Sequence, residues 1–71
     1  MERILVESSM IRSVGFSRVS STLEVEFRSG KVYQYRNVPE AVYLELLSAQ
    51  SKGSYFEKQI KEAGYGYQRV L

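Results

Sequence analysis

The residues with most to offer chemically lie in one short run, Lys31-Val-Tyr-Gln-Tyr-Arg36. Tyr33 and Tyr35 are two positions apart, so on a strand both rings leave the same face. If that face is open, the rings can stack on unpaired bases while Lys31 and Arg36 hold phosphates, as single-strand binders do. If it is closed, both rings are core and tether Pro39 and whatever follows it. Arg36 falls on the other strand face from the tyrosines, which counts against one joint platform.

A second group is Ser51-Lys52-Gly53-Ser54, placed just ahead of a helical pattern. Free N–H groups at a helix start, with a lysine beside them, can hold an anion. Here Ser54 and Glu57 fit the two ends of a capping box and already claim some of those donors. Cations gather in the last third as Lys52, Lys58, Lys61 and Arg69. Glu57–Lys61 and Lys58–Glu62 are spaced to neutralise one another on a helix face. No set of residues suits catalysis or a metal. The chain has no histidine, no cysteine and no aspartate, and a serine nucleophile would find only glutamate, lysine or tyrosine as its base.

Elements must position these groups, and the pattern predicts them in a simple order. Residues 1–9 read as an arm that either frays or extends a strand through Ile4 and Val6. Met10 to Val19 reads as a first strand. Ile11 and Val14 share a face there only if a bulge or bend intervenes, and Gly15 is the natural place for it. After a Ser20-Ser21 turn, Thr22 to Phe27 alternates with Leu23, Val25 and Phe27 on one face and Glu24 and Glu26 on the other.

The turn at Arg28-Ser29-Gly30 then sets the fate of the tyrosines. A two-residue loop places Tyr33 opposite Glu26, on the solvent face. A three-residue loop with Gly30 in the left-handed conformation pairs Val25 with Tyr33 and Leu23 with Tyr35. The second register is preferred because it puts apolar beside aromatic, with the hydroxyls at the rim.

Pro39 suits the first position of a helix carrying Val42, Leu46 and Ala49 on one stripe, widened by Tyr43 and Leu47. That helix is expected to end near Ser51-Lys52-Gly53, with Gly53 left-handed. A second helix, capped by Ser54, carries Phe56, Ile60 and Ala63 and stops at Gly64. The Tyr65-Gly-Tyr67 tail is a short closing strand or an ordered flap, with core closure the favoured role for its tyrosines. The expected fold is α+β, a three-stranded antiparallel meander with a helical hairpin packed on one face and a possible short C-terminal strand.

With 71 residues there is room for one domain, here residues 10–71, and for a small core. A chain this short buries only about 60% of its unfolded surface and tends to lean on a partner or a copy of itself. The net charge of +2 is too mild to argue for nucleic acid alone. Ile4-Leu5-Val6 is too short for a signal peptide and no segment approaches a membrane span, so a cytoplasmic location is expected.

The order Phe27-x-x-Gly30-x-x-Tyr33-x-Tyr35-x-x-Val38-Pro39, then Ala49-x-Ser51-Lys52-Gly53-x-Tyr55-Phe56-x-x-x-Ile60, resembles the KTSC domain. Ser9-x-Ile11-x-x-Val14-Gly15-Phe16 resembles that family's first strand, which usually ends Tyr-Asp where this chain has Phe16-Ser17. The module occurs at the C-terminus of some lysyl-tRNA synthetases and as small free-standing bacterial and phage proteins. The family has no established activity, and its tRNA synthetase setting suggests RNA binding by association. Together with the residue types above, the expectation is a non-catalytic module without a cofactor, with Lys31, Tyr33, Tyr35, Arg36, Lys52 and Arg69 as the candidate RNA-binding residues. The alternatives are a protein-interaction or self-assembling module, and a pocket for a small phosphorylated nucleotide near Ser51 to Ser54.

Overall fold

The alternation of Thr22 to Phe27 makes the centre of a sheet. In the computed structural model, which describes residues 1–71, it is the middle strand of five. The strands are β1 (Ile4–Leu5), β2 (Ile11–Ser17), β3 (Thr22–Phe27), β4 (Val32–Tyr35) and β5 (Tyr67–Arg69). All neighbours are antiparallel, and their order across the sheet is their order along the chain. The expected three-stranded meander is therefore flanked by two further strands, one from the arm and one from the tail. The first long strand is shorter than Met10 to Val19, because Val19 stands fully exposed at the tip of the following turn.

The three-residue turn forms as expected. Gly30 has φ 95°, its N–H donates to Phe27 O at 2.9 Å, and Phe27 N–H donates to Lys31 O at 2.9 Å. Leu23 then pairs with Tyr35 and Val25 with Tyr33.

The bulge in β2 is real but sits elsewhere than expected. Ile11 pairs with Phe27 and Ser13 with Glu26, so Arg12 is the extra residue. That insertion brings Ile11 and Val14 onto the same core face. Gly15 has another task, since a Cβ there would run into the carbonyl oxygen of Glu2. It is the seat over which the N-terminal arm crosses the sheet.

Two helical segments follow β4. The first, α1 (Glu40–Ser48), starts one residue later than expected, with Pro39 as its extended N-cap, and buries Leu46. Tyr43 stacks on Phe16 at 5.3 Å. The helix stops at Ala49 rather than near Gly53, and the second, α2 (Lys52–Phe56), begins at once. Its cap is Ser51, whose hydroxyl accepts from Ser54 N–H at 3.3 Å, and Gly53 lies inside the helix instead of terminating one. Glu57 continues the chain into a π-helical turn, Glu57–Lys61, and Gly64 at φ 87° ends it. Tyr55 OH donates to Glu45 at 2.6 Å and fastens α2 to α1. No helix is long and apolar enough to cross a membrane.

The corrected cap has a direct test. Ser51→Ala should lower unfolding stability by about 1 kcal/mol, whereas Ser54→Ala should change it little. Urea melts that rank the two the other way would return the helix start to Ser54.

The core lies between the sheet and the helices and is built from Ile11, Val14, Leu23, Val25, Tyr35, Val38, Leu46, Phe56 and Ile60. The opposite sheet face is polar yet partly covered. Glu24, 7% exposed, accepts from Gln34 Nε2 at 2.8 Å and from Arg3 Nη1, while Ser13 Oγ donates to Glu26 at 2.7 Å. The arm thus caps this face through Arg3 as well as through the crossing at Gly15.

Candidate functional site

The β4 register decides what the two tyrosines do. Tyr35 lies between Leu23 on β3 and Tyr67 on β5, and Tyr33 between Val25 and Arg69. The Tyr33 and Tyr35 rings are near parallel, 6.3 Å apart and 22° between planes. Tyr67 leans on both, at 6.0 Å from Tyr33 and 5.6 Å from Tyr35. Phe27 meets Tyr33 edge-on, Phe56 meets Tyr35 edge-on, and the two phenylalanines meet each other at 5.2 Å. Such edge-to-face and offset contacts are the favoured aromatic geometries.

Together these rings and Met10 line a cleft of about 440 Å³, with Glu57 and Lys61 as its charged members. Its floor and rim differ sharply. Tyr35 is 5% exposed, Tyr33 is half-buried and Tyr67 is 60% exposed. Burial, then the charges of Tyr33, Tyr67 and Glu57, push the Tyr35 hydroxyl up to about 12, so it stays protonated at neutral pH. It can exchange hydrogen bonds there but cannot act as a base.

The π-helical turn brings the charged pair to this place. Glu62 N–H reaches back five residues to Glu57 O at 3.1 Å, a widened turn that recurs at functional sites. Lys61 Nζ and Glu57 Oε2 are 3.8 Å apart, a loose pair that leaves the ammonium with spare donors. The second expected pair, Lys58 with Glu62, does not form.

The structure gathers some of the expected site residues and disperses others. Tyr33 and Tyr35 are in the cleft. Arg69 stands across from Tyr33 in register, exposed, with its Nε donating to Leu71 O at 3.1 Å. Lys31 is exposed two residues before Tyr33. Arg36 points away from the cleft and lies against Gly66. No residue of the Ser51-Lys52-Gly53-Ser54 turn lines the cleft, although Gly53 packs against the lining residue Met10, and its groups are used internally. Ser51 Oγ holds Ser54 N–H, and Lys52 Nζ donates to Ala49 O at 3.0 Å. Sequence reasoning missed Met10, Phe27, Phe56, Glu57, Lys61 and Tyr67 as lining residues. The one available signal was the echo of Tyr33-x-Tyr35 in Tyr65-x-Tyr67, which becomes informative once the tail is paired with β4.

The family model described as the KTSC domain matches residues 7–65. The chain belongs to the KTSC domain family. Its fold repeats that of a KTSC domain protein from Yersinia pestis, a crystal structure at 36% identity and a TM-score of 0.93, over 99% of this chain and 97% of that one. Along its length this KTSC domain is also 41% identical over 70 residues to an uncharacterized protein of Stutzerimonas stutzeri, covering 99% of each. A lysine–tRNA ligase of Nostoc punctiforme is 44% identical over 55 residues, which are 78% of this chain and 10% of that enzyme. The matched family region stops short of both Ile4–Leu5 and Tyr67–Arg69, so the strands at the two sheet edges lie outside it.

Proposed function

We propose that this KTSC domain is a non-catalytic module that binds single-stranded RNA by taking an unstacked base into the aromatic cleft. The observation that carries the reading is the three-tyrosine cluster, closed at Tyr35 and open at Tyr67, with Lys61 and Arg69 beside it. Open rings offer a sequence-tolerant stacking surface, and adjacent cations supply phosphate contacts. A lysine–tRNA ligase contains a region similar to this chain, which supports an RNA partner. The lack of any histidine, cysteine or aspartate supports a binding role over catalysis.

Tyr67 tests the reading without endangering the fold, because most of its ring is already in solvent. Anisotropy with short labelled RNAs should show affinity falling steeply between about 50 and about 200 mM salt. Tyr67→Ala should weaken binding by about 1–3 kcal/mol while leaving the melting temperature nearly unchanged. Absence of binding to every RNA, or binding indifferent to both salt and Tyr67, refutes the proposal.

A further inference from the structure

β5 is an edge strand, and its outward face has a defined set of free groups. Arg36 N–H donates to Gly66 O at 2.7 Å, and Val70 N–H donates to Val32 O at 2.8 Å. Hydrogen-bonded and non-bonded positions alternate along an antiparallel pair, so Gly66, Gln68 and Val70 turn their main chain inward to β4. Tyr67 and Arg69 therefore direct their N–H and C=O groups outward, where no strand of this chain follows. Exposed apolar surface collects at the same edge, on Tyr67, Val70 and Leu71.

We propose that two copies of this domain pair antiparallel through β5 about a two-fold axis at Gln68, making one ten-stranded sheet. The axis sets Tyr67 against the partner's Arg69, and Gln68 against the partner's Gln68. It uses the outward groups of both Tyr67 and Arg69. The same pairings already exist inside the monomer, where Tyr33 faces Arg69 and Gln34 faces Gln68. A guanidinium over a tyrosine ring is attractive. Gly66, over which the Arg36 side chain lies, would stand opposite the partner's Val70.

The other registers open to the outward groups are worse. An axis at Arg69 opposes two arginines directly, which is destabilising. An axis at Tyr67 leaves Arg69 facing residues beyond the strand. Pairing β5 with the β1 of another copy is head-to-tail, offers only two residues of β1, and yields a ring or a filament rather than a two-fold dimer. At Gln68 the partner's Arg69 also arrives beside Tyr67, so each copy adds a cation to the rim of the other's aromatic cleft. The dimer does not depend on RNA being the ligand.

Sedimentation equilibrium without RNA, over a series reaching the millimolar range, should show mass rising from 8.2 kDa towards twice that value. Gln68→Lys sets two like charges across the axis and should weaken association several-fold, with the monomer still folded. Gln68→Cys introduces one thiol into a chain that has none. A directly opposed non-hydrogen-bonded pair has Cα atoms about 4.5 Å apart, within disulfide reach. This variant should oxidise to a covalent dimer much faster than Leu44→Cys, placed on the exposed side of α1. A mass of 8.2 kDa throughout the series overturns the proposal. So does association indifferent to Gln68→Lys, and so does cross-linking at 68 no faster than at 44.

Discussion

Tyr35→Ala is expected to unfold this domain at room temperature, whereas Tyr35→Phe should fold and melt within about 1 kcal/mol of the parent. Tyr35 packs against Phe56, Tyr33 and Tyr67 and is 5% exposed. Truncating a buried ring leaves a cavity and costs about 3–5 kcal/mol. A domain below about 80 residues with no disulfide or metal rarely has more than about 3–5 kcal/mol to lose, so for this 71-residue chain the loss takes most or all of it. Tyr33→Ala should be milder, because half-burial means less surface returns to water and the cleft can absorb part of the gap. Urea denaturation followed by circular dichroism separates the three variants. A Tyr35→Ala protein with an unchanged midpoint would show that the ring is not part of the core.

Glu24→Ala should be the next most damaging change, at about 3 kcal/mol, because it removes two hydrogen bonds to a charged acceptor on a nearly closed surface. It also strips Arg3 of its main anchor and so loosens the arm. The same carboxylate makes stability depend on pH. Burial pushes Glu24 up, but the hydrogen bonds from Gln34 and Arg3 and the charge of Arg3 outweigh it, holding the group below its ordinary 4.5. A carboxylate depressed by folding contributes its full stabilisation above its unfolded value and loses it as pH falls through the folded one. Melting temperature should therefore drop below pH 4.5, and Glu24→Gln should flatten that drop. Parallel acid limbs in the two proteins would remove Glu24 as the cause.

How legible each feature was follows from how local its cause is. The turn at Gly30 and the facing of Tyr33 and Tyr35 could be read because one loop length fixes a whole register. The stripe on α1 could be read because 3.6-residue spacing is local. On the second segment only Phe56 and Ile60 are buried, since the chain widens into a π turn and leaves Ala63 exposed. The bulge at Arg12 was misplaced to Gly15 because two unrelated demands fall close together. One is a phase correction between Ile11 and Val14, and the other is room for the backbone of Glu2, distant in sequence. β1 and β5 could be read only as one of two alternatives each, strand or fraying arm and strand or flap, because they carry few residues and form where longer neighbours offer them an edge. Ser51 and Ser54 both satisfy a cap pattern, and choosing between them required knowing that α1 ends at Ala49. The cleft was half visible. Its tyrosines stood out, but Phe27, Phe56 and Lys61 meet them only after the helices fold back over the sheet.

The strand order has a consequence for how the chain reaches this structure. Each of the first four strands pairs with the strand just before or after it, through turns of a few residues, so the hairpins can close with little loop entropy. The β4–β5 pairing differs, since Tyr35 must wait for Tyr67 across the whole helical region. Local pairing lets β1 to β4 form early, and the distant β4–β5 pairing closes after the rate-limiting step. Mutations in β3 and the Gly30 turn should then slow folding, while those in β5 should chiefly speed unfolding. The most exposed tyrosine of the cleft would be the last piece placed and the first released.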